Sequence, residues 1–252
     1  MTKTALITII IASALNCRLP LSFGNQEKSK AIQISGILEE LNRSAEKLTS
    51  YQCKIRYKYS QPLFESQTIR EGRLYYLKKK QQSLLRINFD TLKLDDEKPE
   101  KKLEQYIFDG VWLTHIDYQL KQIKKYQQSE PNQPMEVFEL ASRHFPIIGF
   151  SNPSQLSEEF DITLPSKQPE DQIHLRMMSR PNSIYSEQYK TIEFRADKST
   201  HLPSEITSIS CEGDIYEINL LNAKVNQKIA ENTFRVKIPE DFGKPEIYLK
   251  ED

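Results

Sequence analysis

Glycine is scarce in this sequence, with seven residues in a chain of 252. Sites that bind phosphate groups through the backbone use glycine-rich loops, because glycine lets the chain approach the ligand closely in the required conformations. No P-loop, dinucleotide-binding fingerprint or Gly-x-Ser-x-Gly nucleophile motif occurs. The sequence therefore offers no support for a nucleotide-dependent enzyme or an α/β-type serine hydrolase.

Histidine and cysteine are also rare. No His-x-His, His-Glu-x-x-His or Cys-x-x-Cys motif is present. The four histidines are scattered along the chain: His115, His144, His174 and His201. We therefore expect no metal site, no cofactor and no catalytic residue, and so no enzyme.

Two cysteines lie beyond the N-terminal segment, Cys53 and Cys211. An exported protein could join them in a disulfide. The sequence is equally compatible with two buried thiols in strands, since it does not show that their Cα atoms approach to the ~5.5 Å that a disulfide requires.

An excess of charge of either sign is missing too. The chain has 35 basic and 35 acidic residues, so no electrostatic attraction to nucleic acid or to an anionic membrane is implied. The hydrophobic content of 38% is enough for a core and argues against a disordered chain. We expect no nucleic-acid partner.

The chain begins with a segment typical of exported proteins. A lysine near the start is followed by an apolar run, Ala5 to Leu15, which is too short to span a membrane. Ser22 and Gly24 supply the small residues of a cleavage site, so residues 1–24 are interpreted as a signal peptide. Lipidation at Cys17 is the alternative, but Asn16 is a poor match to the small residue expected before a lipidated cysteine.

The rest of the chain is predicted to form one domain, residues 32–252, after a polar tether at residues 25–31. An apolar stripe at helical spacing predicts an amphipathic N-terminal helix from Ile34 to Leu48. Strict alternation from Cys53 to Tyr59 predicts a half-buried strand, and Asp109-Gly110 predicts a hairpin turn.

The expected fold is mainly β with α. About eleven short strands should form a single antiparallel, strongly curved sheet, an incomplete barrel, lidded by the N-terminal helix and a mid-chain helical insertion at residues 135–160. Residues 92–104 are expected to form a solvated hairpin excursion, and residues 234–238 the last strand. Because the chain offers few helices to cover the apolar face, that face is predicted to receive a ligand.

Several segments of the chain resemble segments of the outer-membrane lipoprotein carrier (LolA-like) family and follow one another in the same order. The resemblance covers about residues 32–242. Phe108 to Trp112 resembles the family's Asp-Gly hairpin, its most recognisable short motif. The other matches are the end of the first helix, the second and third strands, and the closing Asn-x-Phe-x-Phe-x-Pro strand: Leu41 to Tyr51, Gly72 to Tyr76, Leu85 to Phe89, and Asn232 to Pro239.

The resemblance implies a periplasmic, non-catalytic half-barrel that holds the acyl chains of a lipoprotein or lipid in a hydrophobic cavity and moves them toward the outer membrane. It also implies an inner-membrane release complex or an outer-membrane receptor as partner, and we expect a monomer. Relatives with this architecture include envelope sensors, so a sensor or protein-interaction module is the alternative.

Candidate site residues follow from these patterns. The alternation does not determine which face of the sheet is concave, because a shift of one residue reverses it. The candidate cavity residues are Tyr57, Tyr59, Tyr75, Leu85, Ile87, Phe89, Trp112 and Phe194. The candidate lid residues are Phe145, Ile147, Ile148 and Phe150.

One position departs from the family pattern. The family's lid-contacting Arg lies in a Lys-Arg-Pro segment after the second strand, whereas Leu77 to Gln82 has no Arg and no Pro. Lys79 is closest in alignment and is assigned as a lid or docking charge, although lysine cannot reproduce the planar hydrogen-bonding fork of arginine.

Overall fold

The structure is a computed structural model that describes residues 23–80, 82–137, 139–140 and 153–250, with side chains from residue 30 onward. Within these residues no helix combines the length and the hydrophobicity needed to cross a membrane. Two α-helices are described, α1 (Phe23–Glu46) and α2 (Pro153–Glu159). The strands are β1 (Ser50–Gln61), β2 (Ser66–Lys78), β3 (Ser83–Leu94), β4 (Glu100–Phe108), β5 (Trp112–Asp117), β6 (Gln122–Gln127), β7 (Phe160–Thr163), β8 (Gln172–Ser179), β9 (Tyr189–Asp197), β10 (Pro203–Ser210), β11 (Ile215–Val225) and β12 (Glu246–Tyr248).

All twelve strands belong to one sheet, in the order β12-β6-β5-β4-β3-β2-β1-β11-β10-β9-β8-β7. The pairs are antiparallel except for the last strand, which runs parallel to β6. The sheet has two edges, β12 and β7, and does not close into a barrel. The predicted mainly β fold, an incomplete barrel with helices, is confirmed.

The two faces of the sheet are defined by β1. Tyr51, Ile55 and Tyr57 lie on the face that we call the inner face, whereas Lys54 and Arg56 lie on the outer face. The alternation predicted for β1 is therefore confirmed. Alternation predicts the buried face because side chains at every second position of a strand all point to the same side.

Helix α1 packs on the inner face over strands β8 to β10. Leu38 and Leu41 are almost fully buried in a cluster with side chains of these strands, such as Leu175 and Ile192. The predicted apolar stripe therefore faces the sheet. The helix begins at Phe23, so residues 25–31, expected to form a tether, are helical.

The hairpin at Asp109-Gly110 forms as predicted. One carboxylate oxygen of Asp109 accepts hydrogen bonds from the backbone N–H groups of Val111 and Trp112, at 3.0 and 2.7 Å. Gly110 has a φ of +96°, which favours glycine. Strands β4 and β5 meet at this turn.

Residues 92–104, expected to be a solvated excursion, are mostly part of the sheet. Strand β3 continues to Leu94, and β4 begins at Glu100, so only the tip between them is a turn. The density of charge misled the prediction, because charged side chains can occupy paired strands as long as they reach water.

The end of the chain was predicted wrongly. Residues 234–238 alternate like a strand, but they belong to no strand, and Glu231–Phe234 is a 3₁₀ turn. This C-terminal segment, residues 227–250, crosses the outer face instead. Phe242 packs edge-on against Tyr118 there, beside a small core of Ile107, Ile116 and Ile123.

Candidate functional site

Two neighbouring hollows lie on the inner face. The first, which we call the proximal hollow, lies between the end of α1 and the sheet and has a volume of about 110 Å³. It is lined by Leu41, Ala45, Leu48, Tyr51, Leu74, Tyr76, Leu85, Val137, His201, Leu202, Pro203, Ile206 and Leu220. Its exposed lining is apolar, so water inside it has few hydrogen-bond partners.

The second, the distal hollow, lies further along the same strands and has a volume of about 390 Å³. Its lining is apolar and aromatic except for one charged residue, Arg70. The lining residues are Ile55, Tyr57, Arg70, Ile87, Phe89, Tyr106 and Ile218.

The register of the sheet makes these hollows adjacent. Ile55 of the distal hollow is the cross-strand partner of Leu220 in the proximal one, and Leu74 is in the same way paired with Ile87. We call the two together the trough. From Tyr51 to Tyr57 it follows six residues of β1, which corresponds to roughly 20 Å at about 3.3 Å per residue.

Aromatic rings form a row across the distal end of the trough. Phe89 lies between Tyr57 and Tyr106, with ring centroids 6.5 and 6.2 Å away. Tyr106 in turn stacks on His115, with centroids 4.4 Å apart. Aromatic surfaces of this kind give a large apolar contact area without a fixed complementary shape.

Charged side chains stand beside this row on the inner face. Arg70 is the cross-strand partner of Tyr57, and its Nε lies 3.4 Å from a carboxylate oxygen of Glu104. The Nζ of Lys102 lies 3.6 Å from the other oxygen of the same carboxylate. Glu104 is buried, so these two cations balance a charge that would otherwise be costly.

Burial also changes the acid–base behaviour of the row. Desolvation raises the pKa of Tyr57 and of Tyr106 to about 12, while the nearby charge of Arg70 acts in the opposite direction on both. Desolvation lowers the pKa of His115, against the carboxylates of Glu104 and Asp117. The tyrosines are neutral donors and the histidine is a neutral ring near neutral pH.

Four of the eight predicted cavity residues line the trough. Tyr57, Ile87 and Phe89 line its distal hollow, and Leu85 its proximal hollow. Tyr59 shares their face but lines neither hollow. Its ring stacks on Tyr216 and its hydroxyl donates to Asp214 at 2.6 Å.

The other three lie elsewhere. Tyr75 points to the outer face, where it lines a basic pocket with Lys54, Arg73 and Lys224. Trp112 is on the outer face as well, with the Nζ of Lys125 5.0 Å from its ring centroid. Phe194 is fully buried in the core under α1 and lines neither hollow.

The predicted lid residues Phe145, Ile147, Ile148 and Phe150 lie outside the described residues. Lys79, predicted as a lid or docking charge, is paired through Nζ with Glu231 of the C-terminal segment at 3.1 Å. In this structure its charge therefore faces the C-terminal segment.

Sequence reasoning missed important parts of the trough. Tyr51 and Tyr76 line the proximal hollow, while Arg70 and Tyr106 line the distal hollow. The signal that would have found them is the pairing of β1 with β2, which aligns Tyr51 with Tyr76 and Tyr57 with Arg70. That pairing needs the turn length between the strands, not only their alternation.

Both cysteines in the described part of the chain are free thiols, so the disulfide alternative does not hold in this structure. Cys53 is buried and Cys211 is exposed. In the same described residues, no group of three or more His, Cys, Asp or Glu side chains is placed to hold a metal ion.

Neither a protein-family model nor a curated protein matches this chain. Among solved structures, a conserved protein of Thermus thermophilus superposes with a TM-score of 0.50 at 13% identity, over 88% of this chain and 100% of that one. This likeness shows a shared fold.

Two looser likenesses were found as well. The Pseudomonas aeruginosa MucA/MucB complex matches with a TM-score of 0.48 at 15% identity, over 81% of this chain and 61% of that chain. A LolA superfamily protein from Nitrosomonas europaea matches at 0.32 and 12% identity, over 80% of this chain and 96% of that one. The solved structures that this chain matches thus include a LolA superfamily protein, as the sequence motifs led us to expect. At these TM-scores neither match supports an inference about function.

Proposed function

We propose that this protein is a non-catalytic carrier that holds acyl chains of lipoproteins or lipids in the trough and moves them through the periplasm toward the outer membrane. The observation that carries the proposal is the trough itself. Two adjacent, largely apolar hollows, together about 20 Å long, are left unfilled by the described side chains, although apolar surface is normally buried.

The dimensions of the trough agree with an acyl chain. The hydrocarbon core of a bilayer is about 30 Å thick, so the chains of one leaflet span roughly 15 Å. Transfer of each methylene from water to an apolar site is worth about 0.8 kcal/mol, so a long chain needs such shielding to cross an aqueous compartment. A loosely fitting aromatic wall also allows release, because it gives contact area without tight complementarity.

Binding of a neutral fluorescent probe tests the proposal. 1-N-phenylnaphthylamine should brighten on the purified protein and be displaced by dodecyl chains. Ala45→Phe should weaken this binding, because Ala45 lines the proximal hollow and a larger side chain would occupy it. Glu46→Phe is the matched control, since Glu46 is exposed on the same helix and lines neither hollow. A folded protein that neither binds the probe nor yields copurified acyl lipid would exclude the carrier role.

An envelope sensor or protein-interaction role is the second candidate, favoured by strand β12. This short edge strand leaves one side unpaired among the described residues, and Ile247, Tyr248 and Leu249 are exposed there. An exposed edge with apolar side chains can add a strand from a partner. Cross-linking to detergent-solubilised envelope fractions that is lost in an Ile247→Lys variant, with probe binding unchanged, would support this role.

A further inference from the structure

We propose that the trough prefers amphiphiles with an anionic head group, and that Arg70 with the hydroxyl groups of Tyr57 and Tyr106 binds that head at the distal hollow. This inference rests on the proposed function, since it specifies the ligand of the same site. The alkyl chain would lie along the strands toward Tyr51, and the head would lie in the distal hollow.

The two ends of the trough differ in chemistry. The exposed lining of the proximal hollow is apolar, whereas the distal hollow includes a guanidinium and two phenols. A ligand that matches both ends is apolar at one end and accepts hydrogen bonds at the other. A pure hydrocarbon would leave the distal donors unpaired, which is unfavourable for buried polar groups.

The donors at the distal hollow are incompletely used within the described part of the chain. The ion pair of Arg70 with Glu104 is long, at 3.4 Å from Nε, and its side-chain hydrogen bond from Nη1 to the hydroxyl of Thr68 is also long, at 3.5 Å. The hydroxyl groups of Tyr57 and Tyr106 have no hydrogen-bond partner among the described residues. Both phenols stay protonated near neutral pH, because burial raises their pKa to about 12.

The charge that lines the distal hollow favours an anion. Arg70 is the one charged side chain, among the described residues, in that lining. Further along the inner face, Lys102 and Lys124 lie among the carboxylates of Glu100, Glu104, Asp117 and Glu246. Asp117 is further engaged, because its carboxylate accepts hydrogen bonds from the backbone N–H groups of two turn residues at 2.9 Å.

Two further ionisable groups lie near the distal hollow. His115 is neutral near pH 7, because burial lowers its pKa. Asp214 immediately precedes β11, at the end of that strand nearer the distal hollow, and its carboxylate accepts a hydrogen bond from Tyr59. An anionic oxygen beside Arg70 would thus gain a charge-assisted hydrogen bond, about twice as strong as a neutral one.

Carboxylates and phosphate monoesters both provide such oxygens. Four ligands with the same dodecyl chain separate the alternatives by displacement of 1-N-phenylnaphthylamine at pH 7.5: laurate, dodecyl phosphate, 1-dodecanol and dodecylammonium. We expect laurate or dodecyl phosphate to bind roughly tenfold more tightly than dodecanol, and dodecylammonium to bind most weakly. The order of the two anions then identifies the source of the head group.

Arg70→Met should reduce the affinity for the anions roughly tenfold and leave dodecanol within about twofold. Arg70→Lys should retain part of the preference, because it keeps the charge. Arg73→Met is the matched control, since Arg73 lies on the same strand but on the outer face. A double variant, Arg70→Met with Glu104→Gln, removes both charges and guards against unfolding caused by an unpaired buried Glu104.

The outcomes separate this inference from the carrier function. If none of the four ligands displaces the probe, both proposals are wrong. If all four bind equally well, or if Arg70→Met weakens dodecanol as much as laurate, the carrier function stands and the head-group inference is overturned. Tightest binding of dodecylammonium would also overturn it, because that result would assign the head-group contact to Glu104.

Discussion

Gly72 lies directly against the backbone of Asn88. A Cβ atom added at Gly72 would stand 1.8 Å from the carbonyl oxygen of Asn88 and 2.8 Å from the Cα of Phe89. The close approach occurs where the register between β2 and β3 shifts, between Glu71 and Gly72. Glycine at this position is therefore required by space, and the bulge turns the strands beneath the distal hollow.

Gly72→Ala should destabilise the protein by about 2–4 kcal/mol, because backbone atoms cannot move aside as a flexible side chain would. Urea unfolding measures the loss. Gly36→Ala is the control, since a Cβ atom added at Gly36, in the middle of α1, would meet no neighbouring part of the fold within 4 Å. That change should stabilise the protein by about 0.5–1 kcal/mol through helix propensity. Equal stability of Gly72→Ala and the unchanged protein would disprove the close approach.

The half-buried ring of His115 should make the fold sensitive to acid. Its pKa is lowered by desolvation, so below pH 6.5 the unfolded chain takes up a proton that the folded chain does not. The contribution of His115 to the free energy of unfolding is therefore full above pH 6.5. It decreases as the pH falls, until the folded state is protonated too.

His115→Phe removes this titration while keeping an aromatic ring to stack on Tyr106. We expect the stability of the unchanged protein to fall relative to this variant between pH 7 and pH 5. Urea unfolding at both pH values measures the difference, and the carboxylates that titrate in both proteins cancel. A constant difference between the two proteins across this range would refute the assignment.

Arg86 anchors the C-terminal segment to the outer face. Its Nη1 donates to the backbone carbonyl of Thr233 at 2.7 Å and to that of Arg235 at 3.3 Å. Loss of charge-assisted hydrogen bonds of this kind costs about 1.5–3 kcal/mol. Arg86→Met should therefore loosen the segment without unfolding the sheet.

Hydrogen exchange measures this effect. Amide exchange in residues 246–248 should become roughly tenfold faster in Arg86→Met, while that of β9 stays unchanged. Arg56→Met is the control, because Arg56 also lies on the outer face but pairs with the exposed Glu71 at 3.5 Å. If both variants exchange alike, Arg86 is not the anchor.

The sequence predicted the elements better than it predicted their faces. Strand β1 was read correctly because lysine and arginine alternate with its apolar residues. Strand β2 instead carries four consecutive apolar residues, Leu74 to Leu77, so alternation could not show that Tyr75 points outward. The face of such a residue follows from its neighbours in the sheet, which is a long-range property.

The end of the chain illustrates the same limit. Residues 234–238 alternate as well as any strand in the protein, yet they pair with no strand in the part of the chain that the structure describes. Phe234 is buried, whereas Val236 and Ile238 are exposed. Alternation in the sequence therefore does not by itself show a covered face, and a strand also needs a partner for its backbone.

The two free thiols provide a test of the register around β1. Cys53 lies in β1 within the register shift, next to Lys54, which pairs with Leu221, whereas Cys211 follows β10 before β11 begins. Along β11, Leu221 is six residues from the first residue of the strand, Ile215, which corresponds to roughly 20 Å at about 3.3 Å per residue. A disulfide needs Cα atoms within about 7 Å, so the folded chain cannot form one.

In a Cys17→Ser variant, a thiol reagent such as dithionitrobenzoate should label one cysteine rapidly, the exposed Cys211. Cys53 should react slowly, because burial limits access and raises the pKa of its thiol to about 12, which leaves little thiolate at pH 8. Cys211→Ser should abolish the rapid phase, and guanidinium should expose both thiols. Two rapid thiols, or none without a reductant, would mean that β1 does not pair with β2 and β11 as described, and the inner face would then lose the order of residues on which the trough depends.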